Sequence, residues 1–139
     1  MILQRTATLL EMPKISDSRG SLSFVESGRH LPFNIERVFY LYDVPGGEMR
    51  AGHALRSCEQ VLIALSGSFD VYLDDGMERN CYKLNRPNIG LHIPSEIWRE
   101  IENFSSGAVC LSLASEPYDP EGYWRDYGEF VAAVRRSSS

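Results

Sequence analysis

The sequence of 139 residues has few residues that bind metals or form cross-links, with three histidines and three cysteines. Small secreted domains that depend on disulfides carry a dense, even set of cysteines, so this count argues against that class. Cys58, Cys81 and Cys110 lie in apolar or strand-like surroundings. We therefore expect buried, reduced thiols in a cytoplasmic protein.

Long apolar runs and an excess of basic residues are also missing. The first five residues contain no apolar core of a signal peptide, and no stretch approaches the length of a membrane span. The net charge is −5, which argues against nucleic-acid or anionic-membrane partners. A content of 43% hydrophobic and 24% charged residues is ordinary for a globular protein. We expect one domain over residues 1–139.

Short segments rich in β-branched and aromatic residues, separated by turn residues, fill most of the chain. They predict strands at residues 5–12, 21–26, 35–44, 61–65, 69–73, 79–84, 90–93, 98–103 and 108–114. Ser66-Gly67-Ser68 predicts a hairpin between two of them. After Asp119, apolar residues at helical spacing predict one helix over residues 121–135. This pattern is typical of an all-β barrel or sandwich with a short C-terminal helix.

The segment from Arg50 to Gln60 carries the most informative motif. It reads His-x-Leu-x-x-x-Glu from His53 to Glu59, and a short apolar run to Gly67 follows. It is similar to the first motif of metal-binding cupins, His-x-His-x-x-x-Glu, with Leu55 at the second histidine.

The second cupin motif normally reads Pro-x-Gly-x-x-His-x-x-x-Asn. Residues 94–103 correspond to it, and Arg99 stands at the histidine position. Leucine cannot ligate a metal and a guanidinium repels one. The sequence therefore predicts a barrel without metal or other cofactor, which opposes a metal-dependent dioxygenase.

An arginine inside a barrel suits an anionic or carbonyl-bearing ligand, through charge-assisted hydrogen bonds. His53 is then a candidate general acid/base, because an imidazole titrates near neutral pH; the alternative is a hydrogen-bonded core histidine. His30 and His92 are not flanked by an arginine on each side, as His53 is by Arg50 and Arg56, and are interpreted as structural.

Four further residues are candidates for substrate binding. Arg50 and Arg99 are candidate ligand clamps, and surface ion pairs with nearby glutamates are the alternative. Arg19 lies in a turn that is placed to close a barrel mouth. Tyr40 shares a strand face with Tyr42, opposite a face formed by residues 37, 39 and 41, and alternation alone does not decide which face lines the barrel.

Eight segments of the chain together resemble the small sugar-nucleotide 3,4-ketoisomerases, the WxcM-like cupins that act on dTDP-4-oxo-6-deoxyglucose. The resemblance covers nearly the whole chain. The segments are Arg19-Gly20-Ser21-Leu22, Ile35-Glu36-Arg37-Val38-Phe39-Tyr40, Gly52-His53-Ala54, Leu65-Ser66-Gly67-Ser68, Leu73-Asp74-Asp75-Gly76, Leu84-Asn85-Arg86-Pro87-Asn88, Ile97-Trp98-Arg99 and Arg125-Asp126-Tyr127.

The resemblance implies an all-β cupin barrel, a double-stranded β-helix, in a homodimer that exchanges N-terminal strands. It also implies a dTDP-linked deoxysugar as ligand and no metal. The family's two histidines, spaced His-Ala-His, correspond to His53 and Leu55, and a position often occupied by tyrosine is Phe39 here. The leading hypothesis is a 3,4-ketoisomerase with His53 as acid/base. The alternative, favoured by Leu55, is a non-catalytic cupin that binds a sugar nucleotide as a sensor or accessory subunit.

Overall fold

The structure, a computed structural model, describes residues 6–137. Twelve strands and one α-helix account for most of this range, and a 3₁₀ turn at Pro120–Gly122 precedes the last strand. The strands are β1 (Thr8–Glu11), β2 (Lys14–Asp17), β3 (Gly20–Ser23), β4 (Arg37–Leu41), β5 (Arg50–Leu55), β6 (Gln60–Ser66), β7 (Phe69–Asp74), β8 (Arg79–Leu84), β9 (Ile89–Ile93), β10 (Trp98–Glu102), β11 (Val109–Ala114) and β12 (Tyr123–Trp124), and the helix is α1 (Tyr127–Ser137).

Ten of the strands form two five-stranded sheets. One has the order β1-β9-β6-β11-β4 and the other β12-β5-β10-β7-β8, and every pair of neighbours is antiparallel. The sheets enclose a core in which alternate residues of each strand point inward. Phe69, Val71 and Leu73 of β7 are examples, each at most 4% exposed. The expected cupin-type jelly roll with a short C-terminal helix is confirmed.

The hairpin expected over Ser66-Gly67-Ser68 is wrong. β6 and β7 are joined by this turn but belong to different sheets, so the chain crosses the barrel here. Gly67 has a φ of 66°, and a Cβ atom there would lie 2.9 Å from the Cα atom of Ala108. Glycine is thus required by a corner between sheets and by the close approach of the next loop.

Two further predicted boundaries need correction. Residues 50–55 form a strand of their own, β5, where a connecting segment was expected. The helix begins at Tyr127, because Asp119 caps only the 3₁₀ turn and β12 follows it. Asp126 caps α1 by accepting a hydrogen bond from the amide of Glu129.

The first predicted strand is shorter than expected. β1 covers only part of residues 5–12, and position 5 lies outside the described residues. β2 and β3 form a separate hairpin on which Ile15 is 61% exposed and Leu22 56% exposed. This hairpin therefore extends from the barrel with apolar side chains uncovered.

Two other expectations concern the cysteines and the membrane. All three cysteines are free, as expected, but only Cys58 and Cys110 are buried; Cys81 is exposed on β8. No helix within residues 6–137 has the length and apolarity needed to cross a membrane.

Candidate active site

A cavity of about 120 Å³ opens inside the barrel, where the two sheets face each other. Strands β4, β5, β6, β10 and β11 supply its lining. The lining is apolar except for four polar side chains, and it comprises Phe39, Leu41, Arg50, Ala51, His53, Gln60, Leu62, Arg99, Ile101 and Cys110.

His53 is directed by an irregularity in β5. Ala51 and Gly52 both have positive φ, 70° and 76°, and the pairing of β5 with β10 shifts register beside them. A positive φ is uncommon for alanine and costs on the order of 1–3 kcal/mol, so surrounding structure must hold it. Such bulges re-aim side chains next to functional sites. Here the bulge sets His53 directly opposite Arg99.

Arg99 is the most buried cation of the site, with 1% of its surface exposed. Its Nη1 donates to Gln60 Oε1 at 2.8 Å and its Nη2 to the carbonyl of Ile97 at 2.9 Å. Arg99 Nε and Gln60 Nε2 are buried without a partner. An unsatisfied buried donor costs about 1–3 kcal/mol. Both residues line the cavity, so a ligand that carries oxygen atoms would satisfy them.

An aromatic and basic cluster forms beside His53. The ring of Tyr123 meets the imidazole edge-on, with centroids 4.9 Å apart. Arg37 Nη1 and Nη2 each lie 3.4 Å from the Tyr123 hydroxyl. The guanidinium of Arg125 lies 4.5 Å from the centroid of the same ring, within cation–π range.

This cluster sets the protonation state of His53. Burial, followed by the charges of Arg99, Arg125 and Arg37, lowers the pKa of His53 to about 3. Burial likewise lowers the pKa of Arg99 to about 10, which leaves it charged at neutral pH. The imidazole of His53 is thus neutral at neutral pH and lies among cations.

The site arginines have no carboxylate partners within the described residues. Ion pairs occur elsewhere, but none includes Arg37, Arg50, Arg99 or Arg125. Glu100 binds Arg79 at 2.8 Å, away from the cavity. The alternative of surface ion pairs for Arg50 and Arg99 therefore finds no support, and the positive charge is available to an anionic ligand.

Three of the five predicted site residues come together in the cavity, namely Arg50, His53 and Arg99. Tyr40 does not: it lies on the outer face of β4 with 58% of its surface exposed. Alternation left the inner face of β4 open, and the structure shows that the opposite face, with Phe39 and Leu41, lines the cavity. Tyr40 as a substrate-binding residue therefore finds no support in the cavity of its own chain. Arg19 lies on the β2–β3 hairpin, paired with Asp17 at 2.7 Å and 88% exposed, outside the cavity of its own chain.

Sequence reasoning missed Arg37, Gln60 and Tyr123 as members of the site. Arg37 shares the inward face of β4 with Phe39, so only the choice of face was lacking. Tyr123 reaches the site because β12 pairs with β5, where Tyr123 is aligned with Leu55. Nothing in the order of the sequence indicates that pairing.

The residues around His53 do not fit a metal centre. Arg99, a permanent cation, lies opposite the imidazole at a position where a metal centre would need a ligand. Glu59, the carboxylate of the motif, is hydrogen bonded to His92 at 2.8 Å. Within residues 6–137 no group of three or more His, Cys, Asp or Glu side chains is arranged to hold a metal.

Comparison with known proteins bears on the identity of this site. A curated relative from Aneurinibacillus thermoaerophilus, TDP-4-oxo-6-deoxy-alpha-D-glucose-3,4-oxoisomerase, is 43% identical over 128 residues, which is 92% of each chain. A crystal structure of a 3,4-ketoisomerase from Helicobacter canadensis is 42% identical, has a TM-score of 0.92 and covers 95% of this chain and 99% of its own.

A second solved structure contains a bound sugar nucleotide. It is a mutant of the 3,4-ketoisomerase QdtA from Thermoanaerobacterium thermosaccharolyticum in complex with TDP-4-keto-6-deoxyglucose. It is 34% identical, has a TM-score of 0.93 and covers 97% of both chains. The family model described as "FdtA: WxcM-like, C-terminal" matches residues 5–135. The chain therefore belongs to the FdtA, WxcM-like family.

Proposed function

We propose that this protein is a metal-independent 3,4-ketoisomerase of a dTDP-4-oxo-6-deoxyhexose, in the biosynthesis of a deoxysugar for a polysaccharide or glycosylated product. The observation that carries the proposal is the neutral His53 held in the barrel cavity among arginines that have no carboxylate partner within the described residues. The names of the relatives supply the substrate class.

His53 has the state that the first step requires. The reaction moves a keto group from C4 to C3 of the hexose through an enediol. A base removes the proton from C3 and an acid later delivers a proton to C4. The neutral imidazole of His53 accepts the first proton, and the resulting imidazolium donates the second.

The arginines would stabilise the negative charge that this proton transfer creates on the sugar. As C3 loses its proton, negative charge develops on the sugar oxygens, and fixed cations in a dry site stabilise it. Arg99 is placed for this role, because it is buried and faces His53. The same oxygens offset the repulsion between the imidazolium and the guanidinium groups.

The nucleotide end of the substrate requires a more exposed cation. Arg50 is exposed at the start of β5 and still lines the cavity. It is therefore placed to bind the diphosphate, while Arg99 binds the sugar.

The proposal includes a homodimer with exchanged N-terminal strands. In the isolated chain β1 pairs with β9 of its own sheet, and the exposed β2–β3 hairpin is the segment free to reach a partner. Its apolar Ile15 and Leu22 would be covered there, and Arg19 would be carried toward the partner's cavity. The absence of disulfides fits a cytoplasmic enzyme.

The test is incubation with dTDP-4-oxo-6-deoxyglucose in D₂O, followed by NMR. We expect a 3-oxo product that carries deuterium at C4, and deuterium exchange at C3 of the remaining 4-oxo substrate. His53→Asn should lower turnover by at least about 100-fold, the low end for a positioned acid/base. His30→Asn, at a loop histidine that accepts a hydrogen bond from Glu26, is the control and should retain full activity.

Two results would contradict the proposal. Binding of the substrate without exchange or product would favour the non-catalytic sugar-nucleotide cupin. Activity that survives His53→Asn would show that another group is the base.

A further inference from the structure

Leu55 occupies the position, two residues after His53, at which the family pattern has a second histidine. This chain therefore lacks an imidazole there that could carry a proton. The Leu55 side chain is 1% exposed and packs in a small cluster with Cys58, Ala114 and Tyr123. Its position is thus closed and apolar. An isomerisation that moves protons on oxygen as well as on carbon still requires a second acid/base nearby.

Tyr123 is a phenol that packs directly against Leu55. Its Cα is paired with that of Leu55 across the β5–β12 ladder, and its ring contacts His53 at a centroid distance of 4.9 Å. The imidazole and the phenol therefore lie at the same end of the site. Arg37, beside the hydroxyl, lies 5.1 Å from the centroid of Phe39, which lines the cavity.

The hydrogen bonding of the Tyr123 hydroxyl leaves its proton available. Arginine can only donate, so the Tyr123 oxygen accepts from the two terminal nitrogens of Arg37. Among the described residues the hydroxyl has no acceptor for its own proton. A ligand oxygen in front of Arg37 would accept it.

We propose that Tyr123 is the second acid/base of the reaction and exchanges a proton with the sugar oxygens while His53 serves the carbons. This inference rests on the proposed ketoisomerase function. It assigns to a tyrosine on β12 the part that the family's second histidine would otherwise take.

The proposed proton transfers balance. His53 takes the C3 proton, the electron pair forms the C3–C4 double bond, and the C4 carbonyl oxygen receives the Tyr123 proton. The 3-hydroxyl then returns a proton to the Tyr123 oxygen, its oxygen becomes the C3 carbonyl, and the His53 imidazolium protonates C4. Both residues end in their starting states, and no oxidant or metal is used.

The first test is Tyr123→Phe, which keeps the ring against Leu55 and His53. We expect kcat to fall by about 100-fold, while KM changes by less than about threefold because the binding arginines remain. Tyr118→Phe is the matched control: its ring lies 5.9 Å from that of Tyr123 and under the same Arg37, but without a hydrogen bond. It should retain parental kcat.

A second test separates chemistry from structure. Fluorotyrosine incorporated at Tyr123 keeps the ring and the hydroxyl but is a stronger acid, so the alkaline limb of the kcat profile should move to lower pH. An unchanged profile, or a Tyr123→Phe kcat within about threefold of the parent, would overturn the inference while the proposed function stands. A parent without turnover would overturn both.

Discussion

At the scale of single residues, His53 illustrates a compromise between burial and basicity. Burial and three guanidinium groups lower its pKa to about 3, which guarantees the neutral form but weakens it as a base. In the proposed mechanism the same cations would stabilise the negative charge of the enediolate intermediate, which would offset the low basicity of the imidazole. The balance favours neutral His53 at every pH at which the enzyme would operate.

The lowered pKa also predicts how stability depends on pH. The pKa of His53 is about 3 in the folded chain and about 6.5 when unfolded, so the unfolded chain binds the extra proton between these values. The free energy of unfolding should therefore fall as pH decreases from about 6.5 toward about 3. From pH 7 to 4.5 this histidine should account for on the order of 2–3 kcal/mol.

Urea unfolding of the parent and of His53→Asn at pH 7 and 4.5 measures this contribution. Carboxylates titrate in both proteins, so the difference between the two isolates the histidine. Equal losses of stability in the parent and in His53→Asn would contradict the assigned environment of His53.

At the scale of elements, the β2–β3 hairpin should decide the assembly. It presents Ile15 and Leu22 to solvent, and exposed apolar side chains on an extended hairpin favour burial against a partner. We expect a dimer at micromolar concentration by light scattering. Ile15→Ser together with Leu22→Ser should shift it toward monomer, because both contacts become polar.

The control for this experiment is Met77→Ser, at a turn residue that is 76% exposed on the β7–β8 connection. It should leave the dimer intact. A parent that scatters as a monomer, or a double variant with unchanged mass, would argue against exchange through the hairpin.

The elements also show what a sequence can predict. Alternation located β6–β11 closely, because most of their inward residues are apolar. It missed β5, where positive φ at Ala51 and Gly52 interrupts the pattern. It also placed the helix six residues too early, since the aromatic residues Tyr123 and Trp124 of β12 precede the apolar residues of the helix at spacings that resemble a helix.

The site was predictable to the extent that a motif marks it. His53 and Arg99 follow from cupin spacing, and the register confirms that they face each other. Tyr40 remained a candidate at the sequence level because a strand has two faces and alternation does not identify the inner one. Tyr123 could not be predicted as a site residue, because its position depends on the pairing of Tyr123 with Leu55, which are 68 residues apart in the sequence.

At the scale of the whole molecule, the charge of the cavity is opposite in sign to the net charge of the chain. The chain carries a net charge of −5, yet the cavity concentrates unpaired arginines. A nucleotide diphosphate must therefore be attracted by the arginines at the cavity and not by the net charge of the chain. Salt screens such exposed charges over roughly 10 Å at 0.1 M. We expect the affinity for dTDP to weaken steadily as salt rises.

Calorimetric titration of dTDP at several salt concentrations measures this effect. Arg50→Gln should weaken binding and reduce the salt dependence, because it removes an exposed cation at the cavity. Arg29→Gln, at a loop arginine paired with Glu26, should change neither. Failure to bind dTDP even at low salt would argue against the nucleotide-sugar substrate.

The late position of β12 in the chain has a consequence for biosynthesis. The strands that carry His53 and Arg99 precede residue 103, whereas Tyr123 and Arg125 follow the last strand of the barrel core. Because a chain emerges from the ribosome N-terminus first, the barrel is synthesised before the residues that close His53 from one side. A nascent chain that stops after β11 would hold an open imidazole without its flanking phenol. Synthesis of β12, and not closure of the barrel core, would then mark the moment at which the site becomes competent.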